Sequence, residues 1–163
     1  MKSIKYSVIL FLFLGLTLST LKTSAQAQKI NWISFEQLSD SLAIKPKKVF
    51  ISFYADWCAY CKKMDKVAYR DSKVIEILNA EYYAVKMNAE TRDTIVFEGK
   101  KFYNKEAGKK RRPTHEIPLL LASRKGRPFS LPAMIVLDEK FRVTGRYFEY
   151  LSPRKVINIL NEE

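Results

Sequence analysis

Cysteine, histidine, glycine and proline are all scarce in this sequence. Its 163 residues include two cysteines, one histidine, five glycines and six prolines. The low glycine and proline contents exclude a collagen-like or linker-like chain, and 47% hydrophobic residues suffice for a folded core. Two cysteines cannot form the framework of several separated disulfides that stabilises many small exported domains. Structural zinc needs four ligands, and the sequence excludes such a site because it offers only His115 besides the two cysteines.

Long hydrophobic runs are absent after the N-terminal region. Residues 6–18 form an apolar run that follows Lys2 and Lys5, and this run is shorter than the roughly 20 residues of a membrane-spanning helix. Small residues come next, at 23–27, as in a cleaved secretory signal peptide. We therefore predict a signal peptide over residues 1–27 and one exported, periplasmic domain over residues 28–163 that does not span a membrane. Secretion, or anchoring by an uncleaved signal, is the alternative.

The charge balance is strongly basic. The formal net charge is +12, and it would fall to +9 if Lys2, Lys5 and Lys22 left with the signal peptide. The basic residues are dispersed, except for the run at 109–112. We interpret that run as a solvated loop that favours acidic partners or anionic surfaces, and we expect no binding of nucleic acid.

Hydrophobic periodicity predicts an alternation of helices and strands. Ser34 and Gln37 fit a capping box for a first helix, and residues 48–55 form an apolar strand of the kind that is covered on both faces. A helix over 62–68, a helix capped by Asp71 or Ser72 and a strand over 82–87 complete a β-α-β unit with parallel strands. The second half is predicted to hold a hairpin over 94–103, a helix from Thr114 to about residue 123, strands at 133–137 and 142–148, and a helix after Ser152 that buries Val156, Ile157 and Leu160.

The two cysteines lie three positions apart, where the buried strand ends and a helix begins. A bridge between Cys58 and Cys61 would close a tiny loop and stabilise the fold little, so we interpret the pair as chemically active. The first turn of the helix stabilises a thiolate at Cys58. Cys61 lies one turn deeper on the same face and is placed to resolve a mixed disulfide on Cys58. Lys62 follows the pair where c-type haem attachment would require histidine.

The sequence around this pair resembles the active-site segment of the thioredoxin superfamily. The matching run, at residues 53–64, is Phe-Tyr-Ala-Asp-Trp-Cys-Ala-Tyr-Cys-Lys-Lys-Met. It is most similar to exported thioredoxin-like proteins related to the C-terminal domain of the membrane thiol:disulfide interchange reductase, and the similarity continues at 85–88 and 131–138. The resemblance implies an α/β fold: a thioredoxin-like three-layer sandwich with a central mixed β-sheet flanked by helices. Residues of about 91–128 match poorly and form an insert before the cis-proline strand.

The resemblance also implies roles for individual residues. Cys58 resembles the nucleophile and Cys61 the resolving thiol, while Trp57 resembles the ring that packs beside the pair. Pro132 matches the proline that the family holds in the cis form, which leaves the backbone of Leu131 free to pair with an extended substrate. An ordinary trans-proline at the start of an edge strand is the alternative.

Two positions depart from the family pattern. Ser52 stands where many thioredoxins bury an aspartate that accepts the proton of the resolving thiol, so Asp56, Glu90 or water is expected to substitute. Lys86, on the next strand, would then lack its usual acidic partner. The dipeptide Ala59-Tyr60 replaces the Gly-Pro of cytosolic thioredoxins, and this dipeptide influences the redox potential.

The pattern as a whole predicts an exported thiol–disulfide oxidoreductase that acts on protein cysteines. We expect a reductase or isomerase that receives electrons from a membrane-embedded donor and needs no cofactor beyond the redox-active Cys58–Cys61 disulfide. A net oxidant is one alternative. Another is a non-catalytic binding module or copper(I) carrier, in which Met64 joins the cysteines as a soft ligand. His115 is interpreted as a helix-start surface or packing residue.

Overall fold

The computed structural model describes residues 29–162, so the predicted signal peptide lies outside the described residues. The strands are β1 (Trp32–Ile33), β2 (Lys48–Tyr54), β3 (Tyr82–Asn88), β4 (Ile95–Phe97), β5 (Lys100–Phe102), β6 (Ala133–Leu137) and β7 (Val143–Tyr147). The helices are α1 (Phe35–Ile44), α2 (Ala59–Lys66), α3 (Ser72–Glu81), α4 (Glu116–Ala122) and α5 (Pro153–Glu162), with a 3-10 turn at Ala68–Arg70.

Five strands form one mixed sheet in the order β1-β3-β2-β6-β7. β1 and β2 both run parallel to β3, whereas β6 runs antiparallel to β2 and β7 antiparallel to β6. The predicted central position of β2 is therefore confirmed, and so is the parallel β-α-β unit. Strands β4 and β5 form a separate hairpin between β3 and β6, as the spacing around 94–103 predicts.

Two hydrophobic cores, one on each face of the sheet, explain why β2 is apolar along almost its whole length. Phe50 packs in the core under α2, α3 and α5, whereas its neighbour Ile51 packs in the core under α1 and α4. Successive side chains of a strand point to opposite faces, so a strand covered on both sides needs apolar residues at nearly every position. The result is the predicted three-layer arrangement of helices, sheet and helices.

Local capping explains where the helices of the first half begin. Ser34 and Gln37 form the predicted capping box of α1, with both side chain–backbone hydrogen bonds present. The Asp71 side chain accepts from the N–H groups of Lys73 and Val74 at the start of α3. Both caps satisfy N–H groups that the first turn of a helix leaves unpaired.

Three details of the helices differ from the sequence-based expectation. Helix α2 starts at Ala59 and ends at Lys66, because the backbone of Val67 leaves the helical path before a short 3-10 turn. The cap of α4 is His115, not Thr114. In α5 the third buried residue is Ile159, while Ile157 is only half-buried. Within residues 29–162, no helix combines the length and apolar character that crossing a membrane requires.

Candidate active site

The cysteine pair lies between the end of β2 and the first turn of α2. Cys58 is the N-cap residue of α2, and its sulfur is bonded to that of Cys61 at 2.04 Å. The backbone N–H of Cys61 also donates to Sγ of Cys58 at 3.1 Å. When the pair is reduced, a thiolate on Cys58 would keep this N–H contact at the positive end of the helix, which favours the anionic form.

Aromatic side chains surround the pair on the surface. Cys58 and Cys61 are only 3% and 5% exposed, whereas Trp57 is 47% and Tyr60 is 61% exposed. Tyr60 contacts the ring of Tyr150, with 6.5 Å between ring centroids. Exposed aromatic rings therefore flank the buried cysteines at the surface.

Trp57 is fixed from two sides by residues that follow β3. Its indole N–H donates to Oε1 of Glu90 at 2.8 Å. The guanidinium carbon of Arg112 lies 3.8 Å from the centroid of the Trp57 ring, within cation–π range. Sequence reasoning placed Arg112 in a solvated loop, and nothing in the local pattern indicates that this side chain reaches the residue next to Cys58.

The segment before β6 forms the other side of the site. The peptide bond between Leu131 and Pro132 is cis. Pro132 is buried, and the half-buried Leu131 lines a cleft of about 120 Å³ together with Trp57 and Arg112. Tertiary structure thus brings Leu131 into the same cleft as Trp57, the residue that precedes Cys58.

Ser52 lies on β2 and is buried. Its hydroxyl oxygen accepts a hydrogen bond of 2.9 Å from the phenol of Tyr69. Burial raises the pKa of Tyr69 far above its ordinary value, which keeps the phenol neutral. The position that carries a buried aspartate in many thioredoxins is therefore occupied here by a neutral Ser–Tyr pair.

Lys86 lacks its usual acidic partner, because Ser52 occupies that position, but it has another one on α2. Lys86 lies beside Ser52 in the register of β3 against β2, and its Nζ is 2.5 Å from Oδ1 of Asp65. Asp65 comes from α2, four residues after Cys61, so the carboxylate is supplied by the helix and not by the strand. Asp56 and Glu90 are the carboxylates that the sequence suggested as proton acceptors. Asp56 is exposed, and the carboxylate of Glu90 accepts the indole N–H of Trp57.

His115 is fully buried at the start of α4, so the packing interpretation is confirmed and the surface interpretation is wrong. Its Nδ1 accepts from the N–H of Ile117 at 3.2 Å as the cap of α4, and its backbone N–H donates to the carbonyl of Ala89 at 2.8 Å. Nε2 has no hydrogen-bond partner within the described part of the chain. Burial lowers the pKa of His115 because the imidazolium form loses its hydration there.

This lowered pKa predicts an acid-sensitive stability. Below the ordinary histidine pKa of about 6.5 the unfolded chain binds a proton that the folded chain resists. The free energy of unfolding is therefore expected to fall as the pH drops from 7.5 through 6.5 towards the lowered folded-state pKa. Urea unfolding at pH 7.5 and 5.5 measures this loss. His115→Asn retains a capping side chain and should show a smaller loss between the two pH values. An equal loss in both proteins would contradict the assignment, since His115 is the sole histidine of the sequence.

Met64 packs in the hydrophobic core. It is 1% exposed, and its sulfur accepts from the backbone N–H of Leu151 at 3.2 Å. In residues 29–162, no group of three or more His, Cys, Asp or Glu side chains is arranged to hold a metal ion.

Comparison with known proteins assigns this sequence to a family. The sequence model of the Thioredox_DsbH family, described as "Protein of unknown function, DUF255", matches residues 14–112, more than half of the chain. The chain belongs to the Thioredox_DsbH family. The match includes the cysteine pair, Ser52 and Lys86, and it ends before Leu131 and Pro132.

Curated relatives of this Thioredox_DsbH chain are proteins named thiol:disulfide interchange protein DsbD. The protein from Campylobacter jejuni (strain RM1221) is 31% identical over 62 residues, which cover 37% of the chain and 11% of that protein. The protein from Salmonella typhi is 41% identical over 44 residues, which cover 26% and 8% respectively. The matched part therefore spans about a tenth of the length of these relatives.

Solved structures show that the Thioredox_DsbH chain has the thioredoxin fold. The oxidised C-terminal domain of DsbD from Neisseria meningitidis matches with a TM-score of 0.51 at 19% identity, covering 78% of this chain and 90% of that domain. A protein described as DsbH oxidoreductase matches with a TM-score of 0.57 at 15% identity, covering 91% and 94%. A thioredoxin from Thermus thermophilus matches with a TM-score of 0.55 at 19% identity, covering 82% and 86%. The predicted fold class is confirmed.

Proposed function

We propose that this Thioredox_DsbH chain is an exported thiol–disulfide oxidoreductase that acts on protein cysteines as a reductase or isomerase. The observation that carries the proposal is the position of Cys58, whose sulfur is bonded to Cys61 and accepts an N–H of the first turn of α2. A structural role for this bridge is disfavoured, because a disulfide between residues three apart restricts the unfolded chain little. The name thiol:disulfide interchange protein, carried by the curated relatives, supports the same chemistry.

In the reducing direction the reaction has two exchange steps. The Cys58 thiolate attacks one sulfur of a substrate disulfide, and the second substrate sulfur leaves as a thiolate that takes up a proton. Cys61 then loses its proton and attacks Sγ of Cys58, which expels the first substrate sulfur. The substrate gains two electrons, and the Cys58–Cys61 dithiol becomes a disulfide. A membrane-embedded dithiol donor would return the two electrons, and no other cofactor is needed.

Asp65 is the residue that we assign as proton acceptor for Cys61. It lies on the same face of α2 as Cys61, one turn later, because residues four apart are neighbours on a helix. Its ion pair with Lys86 holds the carboxylate on the side of the sheet where Ser52 lies. Ser52 and the neutral Tyr69 cannot accept a proton at neutral pH, whereas an ionised carboxylate can.

The catalytic proposal is tested by the rate at which the protein accelerates insulin reduction by dithiothreitol. We expect clear acceleration, because Cys58 would shuttle electrons from dithiothreitol to the insulin disulfides. No acceleration over dithiothreitol alone would contradict catalysis and favour a binding module.

The direction of exchange is tested separately, by equilibrating the Cys58–Cys61 pair in glutathione buffers. A potential well below that of dedicated oxidants, which lies near about −120 mV, is expected for a reductase. A potential close to that of the oxidants would reject the reducing direction while leaving the chemistry in place.

A further inference from the structure

The insert between β3 and β6 places the side chain of Arg112 against Trp57, the residue that precedes Cys58. Arg112 stacks on Trp57, and the other edge of Trp57 is held by Glu90. Stacking uses the flat face of a guanidinium group and leaves its N–H groups at the rim, where they can donate to a planar acceptor such as a carboxylate. Arg112 itself is exposed and has no ion pair within residues 29–162.

Hydrogen bonds fix both ends of the loop that carries Arg112. At its start, the Asn104 side chain donates to the carbonyl oxygens of Thr91 at 2.9 Å and Pro113 at 3.3 Å. At its end, the N–H of Thr114 donates to the Glu106 carboxylate at 3.0 Å. The position of Arg112 over Trp57 is thus supported by the base of the loop as well as by the stacking contact.

The loop concentrates positive charge at this rim. Residues 104–112 contain five basic residues and one acid, Glu106. Lys105 is paired with Glu116 and Lys110 with Glu106. Lys109, Arg111 and Arg112 have no ion pair in the described chain, so the unpaired charges of this loop are all positive.

Arg112 lines the same cleft as Leu131, whose backbone is expected to bind substrate. Arg112, Trp57 and Leu131 all line the cleft of about 120 Å³, and Trp57 directly precedes Cys58 in the chain. Glu90 lines it too, but its carboxylate accepts the indole N–H of Trp57 at 2.8 Å. A substrate segment that pairs with the backbone of Leu131 would therefore place a neighbouring side chain within reach of Arg112.

We propose that Arg112 selects substrates whose disulfide cysteine is flanked by an acidic side chain. The occupant of the cleft is an extended protein segment, with its cysteine at Cys58 and an Asp or Glu carboxylate on the guanidinium of Arg112. This inference rests on the proposed function and adds a substrate class to it. The chemistry is unchanged: the reduced pair donates two electrons, and the substrate disulfide is cleaved to two thiols.

The test compares two symmetric peptide disulfides as substrates of the pre-reduced protein. One is formed from the peptide Glu-Cys-Glu and the other from Gln-Cys-Gln, and single-turnover rate constants are measured by acid quench and chromatography. Wild type is expected to reduce the acidic peptide faster. Arg112→Gln should lower the acidic-to-neutral rate ratio by about two- to fivefold, the range of a partly exposed ion pair. Using the ratio removes any general effect of the substitution on the cysteine pair.

Arg111→Gln is the matched control, because it makes the same change of charge at an exposed neighbouring residue that is not stacked on Trp57. It should leave the rate ratio close to the wild-type value. An equal fall in both variants would overturn the assignment to Arg112 in favour of general attraction. Equal wild-type rates for the two peptides would overturn the acidic preference alone. A protein that reduces neither peptide would overturn the proposed function and the preference with it.

Discussion

Replacing Cys58 by serine is expected to reduce insulin reduction to the rate of dithiothreitol alone. A serine hydroxyl is not ionised at neutral pH and does not attack a disulfide sulfur, whereas a thiolate at the start of α2 does. Burial does not distinguish the nucleophile from the resolving cysteine, because Cys58 is 3% exposed and Cys61 is 5% exposed. Their positions do, because Cys58 caps the helix and its sulfur accepts the N–H of Cys61.

Cys61→Ser is the matched variant for this prediction. It should keep the first exchange step and lose the second, so a mixed disulfide between Cys58 and the substrate accumulates. Non-reducing electrophoresis followed by mass spectrometry identifies the trapped partner and the cysteine that holds it. If Cys58→Ser traps a mixed disulfide and Cys61→Ser does not, Cys61 is the nucleophile and Cys58 the resolving cysteine. The trapped proteins would also show whether acidic residues flank the captured cysteines.

Asp65→Asn is expected to slow the second exchange step by about ten- to a hundredfold. This loss is at or below the lower end of the rate effects of positioned proton acceptors, because the Asp65 side chain is partly exposed. The first step does not need this proton transfer. Rapid-quench measurements should therefore show normal formation of the mixed disulfide and slow release of the substrate thiol. The asparagine retains the size of the side chain while removing the charge that accepts the proton.

Asp56→Asn is the control for this experiment. It removes a carboxylate from the same active-site segment, but Asp56 is exposed and has no hydrogen bond or ion pair to a side chain among the described residues. It should leave both steps near their wild-type rates. If Asp56→Asn slows release and Asp65→Asn does not, the acceptor assignment is wrong. Thermal unfolding of both variants checks that loss of the Lys86 ion pair has not unfolded the site.

The elements that were predicted well are those whose cause is local. The apolar run of β2 indicated a strand with two covered faces, and Ser34 and Gln37 indicated the start of α1, because a capping box needs only neighbouring residues. The starting residue of α4 was placed one residue early. Thr114 is a common capping type, but the buried His115 takes that position, and its burial depends on contacts with residues far along the chain.

The side chains around the cysteines were harder to predict for the same reason. Spacing alone put Cys58 at the start of a helix and Cys61 one turn behind it, because three residues make almost one turn. The partner of Lys86 was missed, since Asp65 reaches it only when α2 packs across β3. Residue type suggested Glu90 as a proton acceptor, whereas the fold directs it to Trp57.

The sequence by itself determined the position of the cysteine pair at a strand–helix junction and the α/β order of the elements. These follow from short-range spacing and hydrophobic period, which are properties of consecutive residues. Only the tertiary structure decided that Asp65 pairs with Lys86 and that Arg112 covers Trp57. Both contacts join segments distant along the chain, and their geometry is fixed by packing across the sheet and by the hydrogen bonds that hold the insert.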